Sequence, residues 1–171
     1  MADARALQKE PSDALEALDP ASRDSADRRL KQAREVHIMS IVTKWKSWAP
    51  QLLSVVRIVA AFMFILSGST KILAFPAGMP NGATAPFMSQ IWIGGMLELV
   101  GGSLLLLGLF TRPVAFVLAG EMAVAYFQFH APKGFYPTVN GGVAAALYCF
   151  VWLYISAAGP GPWSLDAIRK K

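Results

Sequence analysis

Four ionisable residues lie inside long apolar runs of the sequence: Arg57, Lys71, Glu98 and Glu121. A Lys or Arg in the middle of a hydrocarbon layer costs at least ~2.5 kcal/mol, so each of these side chains should face other protein or a wet cavity. Carboxylates beside cations can form structural ion pairs. They can equally bind a quinone, a small acid or a coupled proton, and the residue types alone leave these alternatives open.

Depth along the apolar runs predicts two pairs among these residues. Counted at about 1.5 Å per residue, Arg57 and Glu121 lie at similar heights near one surface, and Lys71 and Glu98 lie nearer the other. Arg57 and Lys71 also share one helical face, as do Glu121 and Gln128. We therefore expect an Arg57–Glu121 pair, a Lys71–Glu98 pair and one polar seam that includes Gln128.

Small residues accompany this seam. Gly94 and Gly102 flank Glu98 at four residues on either side, and Gly68 lies on the same face as Lys71. Small residues at such spacing let helix backbones approach closely in a membrane. The three glycines are predicted to be helix-packing positions.

His130 and Tyr126 lie near the end of the third apolar run and are candidates to contact a ligand at the outer surface. His130 could hydrogen-bond a quinone carbonyl or act as an interfacial anchor, and Tyr126 could belong to an aromatic belt or to a ring-binding pocket. The chain has one cysteine, Cys149, and two histidines. Neither a metal site nor ligation of a haem by two membrane histidines is predicted.

The elements that position these residues are four apolar runs, at 52–73, 91–110, 113–130 and 139–158. Helices of these lengths extend roughly 27–33 Å, which matches a hydrocarbon core of about 30 Å. Only 16% of the residues are charged and the mean hydropathy is +0.42. We predict an all-α fold, a four-helix transmembrane bundle that uses the lipid bilayer as its solvent.

Basic residues outside the runs predict the orientation. Lys44, Lys46, Arg112 and the C-terminal cluster beginning at Arg169 fall on one side, and Lys133 falls on the other. The positive-inside rule then puts the N and C termini in the cytoplasm. The basic residues form no stripe with aromatic or polar readers, so nucleic acid is not an expected partner.

Residues 1–38 differ from the rest of the chain. They carry seven Lys/Arg and eight Asp/Glu, whereas residues 39–171 carry nine and three. Polarity without an apolar face predicts a disordered or weakly helical cytosolic tail. The segment from Met39, with Trp45 and Trp48 beside lysines, is typical of a membrane protein's own start, so residues 1–38 are either an extension or an over-called start.

Several ordered motifs in residues 39–166 resemble the DoxX family of bacterial inner-membrane proteins. They are Arg57, Gly68-Ser69-Thr70-Lys71, Phe75-Pro76, Glu98-Leu99-Val100-Gly101-Gly102, Gly108-Leu109-Phe110-Thr111-Arg112, Glu121-Met122-Ala123-Val124-Ala125-Tyr126-Phe127, His130-Ala131-Pro132, Asn140-Gly141-Gly142 and Gly159-Pro160-Gly161-Pro162-Trp163-Ser164-Leu165-Asp166. The resemblance implies a four-helix membrane fold. It also implies that Arg57, Lys71, Glu98, Arg112 and His130 match the family's polar positions.

The resemblance further implies a redox association, because name-giving relatives include a subunit of a thiosulfate–quinone oxidoreductase and others look like partners of thiol or oxidative-stress enzymes. Two departures remove polar groups from the seam. Many members have His-Gly-x-Gln-Lys where this chain has 67–71, Ser-Gly-Ser-Thr-Lys, and an acidic residue where this chain has Val143.

The predicted function is therefore a multi-pass bacterial inner-membrane subunit or accessory of a quinone- or thiol-linked redox system, with quinone as the candidate cofactor and a redox enzyme as the candidate partner. No catalytic residue is identified, and a homo-oligomer is compatible with the sequence. Two alternatives stay open: a small proton-linked transporter with a pathway between Glu98 and Glu121, and a membrane scaffold without a small-molecule site.

Overall fold

The computed structural model describes residues 19–169, apart from the side chains of Arg23 and Asn81. Within these residues the chain is helical and contains no strand. The α-helices are α1 Pro20–Leu73, α2 Gln90–Leu107, α3 Thr111–Ala125, α4 Pro137–Asn140, α5 Val143–Ala158 and α6 Leu165–Ile168. A short 3-10 turn, Pro80–Gly82, lies in the link between α1 and α2.

The chain divides into two compact units, the first ending at Trp48 and the second beginning at Ala49. Helix α1 contributes to both. The tail predicted for residues 1–38 lies partly outside the described residues. Where it is described, from Pro20 onward, the backbone is helical and its side chains are largely exposed.

Three helices are long and apolar enough to cross a membrane: α1, α2 and the continuous helical stretch Thr111–Lys133 that begins with α3. The fourth apolar helix, α5, has 16 residues and so extends about 24 Å. The prediction of one continuous helix over 139–158 is wrong for its first residues, because two helices meet there. Gly141, in the left-handed region at φ +72°, ends α4, and the helix begins again at Val143.

The end of α3 also departs from a regular α-helix. Residues Tyr126–His130 form a π-helix, in which the N–H of Ala131 donates to the carbonyl of Tyr126, five residues earlier. The wider turn changes the rotation of the side chains that follow Ala125. It therefore decides which side of the helix His130 faces.

The core of the second unit takes side chains from α1, α2, α3 and α5, the largest being Phe64, Leu105, Leu118, Met122, Trp152 and Ile155. Phe64 packs edge-on against Trp152 with ring centroids 5.3 Å apart. A Cβ on Gly68 would lie 2.7 Å from the carbonyl oxygen of Gly95, and one on Gly102 would lie 2.9 Å from the side chain of Ile65. Glycine at these positions lets α1 and α2 approach within backbone contact, which sets the position of Lys71 against α2.

Candidate functional site

A cavity of about 480 Å³ lies between α2 and α3, beside the C-terminal end of α1. Its walls are mainly aliphatic and aromatic, including Leu97, Val117 and Phe129. The polar side chains that line it are Lys71, Gln90, Glu98, Glu121 and His130. We call this space the α2–α3 cavity. Its size and its mixture of apolar walls with few polar groups are those of small-molecule sites.

Lys71 and Glu98 form an ion pair at the side of the cavity, as their depths predict. The carboxylate is 3% exposed and the Lys71 side chain 28% exposed. The hydroxyl of Ser67 donates to Glu98 Oε1 at 3.2 Å and accepts from Lys71 Nζ at 3.2 Å. The Lys71 cation and one hydrogen bond from Ser67 therefore compensate the buried charge of Glu98.

Glu121 reaches the same cavity from α3. A Cβ built on Gly94 would lie 3.2 Å from Glu121 Oε1, so this glycine makes room for the carboxyl group. Oε2 is buried and has no hydrogen-bond partner among the described residues. Glu121 interacts electrostatically with Glu98 and, with opposite sign, with Lys71. The predicted Arg57–Glu121 pair is wrong, because Glu121 lies with the Lys71–Glu98 pair.

His130 is held at the mouth of the cavity by the chain beyond α3. Its Nδ1 lies 3.2 Å from the carbonyl oxygen of Asn140, which can only accept, so Nδ1 carries the hydrogen of the neutral ring and Nε2 is left as an acceptor. Asn140 is itself fixed, with its side-chain amide donating to the Gly134 carbonyl at 2.8 Å and its Oδ1 accepting from the Gly142 N–H at 2.8 Å.

Tyr126 and Gln128 lie near the cavity without lining it. The Tyr126 ring stacks on His130 with centroids 6.4 Å apart, and its hydroxyl accepts from the Asn140 amide at 3.4 Å. Gln128 is exposed and accepts a hydrogen bond from the Gln90 side chain, which joins α3 to α2. The predicted seam thus contains Gln128 only as a link between the two helices.

Arg57 lies at the opposite end of the second unit, fully buried. Its guanidinium donates to the carbonyl of Pro160 and, at 2.5 Å, to the carbonyl of Trp163. These acceptors belong to the C-terminal tail, which folds back over α1. The carboxylate whose charge acts on Arg57 is that of Asp166. Arg57 is therefore not part of the seam. The residues predicted to form one polar seam lie in two separate places, Lys71, Glu98 and Glu121 at the cavity and Arg57 against the C-terminal tail.

Asp166 fastens the tail to the start of α3. Its carboxylate accepts the backbone N–H groups of Phe110 at 3.0 Å and Thr111 at 2.8 Å, and its own N–H donates to the Gly108 carbonyl at 2.9 Å. Partial burial raises the pKa of Asp166, but the hydrogen bonds from Thr111 and Phe110 and the charge of Arg169 outweigh it and hold the pKa below its ordinary value. We call Arg57, Asp166 and the tail segment 159–166 the tail clamp.

The tail clamp requires glycine at its tightest point. Gly161 has φ +74°, and a Cβ there would lie 2.3 Å from Ser54 Oγ. The same hydroxyl accepts the N–H of Trp163 at 3.2 Å. Arg112, at the start of α3, donates to the carbonyls of Ser156 and Ala157, which end α5. The Gly-Pro-Gly-Pro-Trp segment was the signal in the sequence for this turn, but it does not reveal which groups it binds.

Sequence reasoning missed Gln90, Ser67, Asn140 and Asp166 as contributors to the two ends. Within residues 19–169 no group of three or more His, Cys, Asp or Glu side chains could hold a metal ion. The polar side chains that line the cavity, Lys71, Gln90, Glu98, Glu121 and His130, can exchange hydrogen bonds with a ligand between apolar walls.

Comparison with known proteins gives a family and a relative. The family model described as DoxX matches residues 52–131. A protein of Haemophilus influenzae, described as an uncharacterized protein, is 46% identical over 124 residues, which cover 71% of this chain and 92% of the relative. No solved structure matches the chain significantly. The matched region contains Arg57, Lys71, Glu98, Glu121 and His130, and so spans the polar lining of the cavity.

Proposed function

Since the chain belongs to the DoxX family and has three helices able to cross a bilayer, we propose that it is a membrane subunit or accessory of a quinone- or thiol-linked redox system, binding a quinone in the α2–α3 cavity. The observation that carries this proposal is the cavity itself. It is large enough for a substituted ring, and its apolar walls continue into the lipid-facing surface at Val117 and Val124, which are exposed.

The polar lining suits the two oxygens of a quinone headgroup. Lys71 is a donor at one side, Glu121 has a buried oxygen without a partner among residues 19–169, and His130 offers Nε2 at the mouth. An apolar tail can leave between α2 and α3 into the acyl chains. The redox enzyme that exchanges electrons with the quinone is a separate protein in this proposal.

We also propose the arrangement in the membrane. Helices α1 (from about residue 52), α2, α3 and α5 form a four-helix bundle in the bacterial inner membrane, in a domain that runs from about residue 39 to residue 171. Lys44, Lys46, Arg112 and Arg169 favour cytoplasmic termini. The tail clamp then lies on the cytoplasmic side, the cavity opens near the outer surface, and residues 1–38 form a cytosolic extension.

The test is binding of decyl-ubiquinone to the purified full-length protein in lipid nanodiscs. Leu97→Trp puts a large ring into the cavity and is expected to weaken binding at least about tenfold, equivalent to about 1.4 kcal/mol. Leu153→Trp adds the same ring to an exposed position on α5 and should bind like wild type. Absence of binding by the wild type, or equal binding by both variants, would reject the quinone site.

The redox role is tested in the cell. Deleting the gene should raise oxidant sensitivity or lower quinone-dependent respiration, and Leu153→Trp should restore the phenotype whereas Leu97→Trp should not. If the deletion leaves both phenotypes unchanged, the redox assignment fails even if a quinone binds.

The unpartnered oxygen of Glu121 favours one alternative, a small proton-linked transporter. That function predicts solute or proton flux in proteoliposomes that falls when Glu121 is replaced by Gln. Equal flux in wild type and Glu121→Gln would argue against the transporter and leave the ligand-binding role.

A further inference from the structure

The charges around the α2–α3 cavity do not balance. On α1 the charged group that faces the cavity is Lys71, and on α2 it is Glu98, and these two neutralise each other. On α3 Glu121 adds a second carboxyl group, with His130 at the mouth already held by Asn140. Helix α5 carries no charged residue, and its titratable groups are Tyr148, Cys149 and Tyr154. In the described part of the chain, Glu121 therefore has no cation of its own.

No hydrogen bond from the described residues compensates the buried oxygen of Glu121. Oε1 lies against Gly94, where no side chain can donate, and Oε2 is buried without a partner in the described part of the chain. Lys71, the nearest cation that acts on it, already bonds both Glu98 and Ser67. The neighbouring cavity walls are Leu97, Val117 and Met122.

We propose that Glu121 is a proton-binding site of the cavity: the carboxyl group takes up a proton when an apolar ligand or lipid chain fills the space, and releases it when the space is hydrated. The physical reason is desolvation. Water can solvate the carboxylate while the cavity is wet. An apolar occupant removes that water, and an unpartnered charge in an apolar site costs far more than a protonated acid.

A route for this proton is present on the same side of the cavity. Lys71 and Glu121 line the same cavity, and the Lys71 side chain is 28% exposed. Water that enters beside Lys71 can therefore bring a proton to Glu121 or take one away. The inference goes beyond the quinone proposal, because any apolar occupant would couple its binding to proton uptake.

The test uses dicyclohexylcarbodiimide on the full-length protein in nanodiscs. This apolar reagent reacts with protonated carboxyl groups: the acid proton moves to one carbodiimide nitrogen, the carboxylate oxygen bonds to the central carbon, and the adduct rearranges to a stable acylurea with the mass of one added reagent. Peptide mass spectrometry should find the adduct on Glu121, in an amount that falls as the pH rises from mildly acidic to alkaline.

Two comparisons make the result specific. Glu35, exposed on the first unit, should react with a water-soluble cationic carbodiimide and little with the apolar one, whereas Glu121 should show the reverse order. Labelling of Glu121 should exceed that of Glu98 by at least about tenfold, because the Glu98 carboxylate is already bonded to Lys71 and Ser67 and is only 3% exposed. Absence of the Glu121 adduct, labelling mainly at Glu98, or a yield independent of pH would overturn the proposal.

Adding decyl-ubiquinone separates this inference from the proposed function. Protection of Glu121 from the reagent supports both. Labelling of Glu121 that the quinone does not reduce supports the proton site and counts against the quinone site. A quinone that binds to a protein whose Glu121 never labels supports the quinone site and rejects the proton site.

Discussion

Each end of the second unit contains a buried ionisable side chain, and the two side chains differ in whether the protein supplies hydrogen-bond partners for them. At the tail clamp, Arg57 is fully buried and donates to the carbonyls of Pro160 and Trp163. At the α2–α3 cavity, Glu121 has a buried oxygen with no partner among the described residues. Compensation by backbone groups is typical of a structural role, since it leaves nothing for a ligand to bind. An uncompensated group beside an open space is typical of a site.

Glycine has a different purpose at each end. Gly161 lets the tail backbone approach Ser54 more closely than any side chain would permit. Gly94 instead leaves space beside the Glu121 carboxyl group. Gly161 therefore permits close packing at the tail clamp, whereas Gly94 leaves free space at the cavity.

The largest expected effect is at the tail clamp. Arg57→Met should lower the free energy of unfolding by about 3–5 kcal/mol, because it leaves the part-buried carbonyls of Pro160 and Trp163 without donors. The measurement is the midpoint of thermal unfolding in detergent, together with the rate of proteolysis of the C-terminal tail. Lys133→Met, which removes an exposed cation, is the control. If both variants unfold like wild type, the tail clamp does not stabilise the fold.

At the cavity end, Lys71→Met should cost about 3 kcal/mol, because it leaves the charge of Glu98 buried without its cation. The double variant Lys71→Met with Glu98→Gln should recover most of the loss, since no buried charge then remains. Thermal unfolding of the four proteins forms a double-mutant cycle. Additive losses would contradict the ion pair as the reason for the burial of Glu98.

Gly68 packs against a neighbouring helix and Gly120 does not, so replacing each by Ala should change stability differently. Gly68→Ala should destabilise the protein by about 1–3 kcal/mol, because the new Cβ would lie 2.7 Å from backbone atoms of Gly95 and Leu99. Gly120→Ala has no neighbour within 4 Å and should be neutral or stabilising by up to about 1 kcal/mol, since Ala favours a helix. The same loss at both positions would show that helix propensity, and not close packing, sets the effect.

The smallest effect concerns pH. Hydrogen bonds hold the pKa of Asp166 below its ordinary value, so its contribution to stability is present above about pH 4 and is lost as the pH falls through the folded pKa. Asp166→Asn should cost about 1 kcal/mol at neutral pH. The difference in unfolding midpoint between the two proteins should close in strong acid. A difference that persists there would contradict the role of the ionised carboxylate.

The sequence was sufficient for the helical class, the membrane character and the meeting of Lys71 with Glu98. Helical depth predicts which residues share a height, but not the rotation of each helix about its axis. Glu121 was therefore assigned to Arg57 when it lies with Glu98. The true acceptors of Arg57 are backbone carbonyls, which every residue carries, so composition could not single out Pro160 and Trp163.

Local hydrogen bonding explains the remaining differences. The π-helix at Tyr126–His130 depends on a hydrogen bond from the Ala131 N–H to the Tyr126 carbonyl. Any residue type can form such a backbone bond, so the sequence does not predict it. The break at Gly141 divides an apolar run that hydropathy treats as continuous. Both changes act on His130 and Asn140, and for this reason their contact could not be anticipated.

The distance along the chain between Arg57 and its acceptors has a consequence for biosynthesis. The carbonyls that bind Arg57 are 103 and 106 residues further on. At about 5–20 residues per second, the ribosome needs roughly 5 to 20 s to make that interval. Arg57 in helix α1 therefore has no access to these acceptors until Pro160 and Trp163 have been made. A nascent protein that stops before the tail keeps the Arg57 guanidinium without these two acceptors.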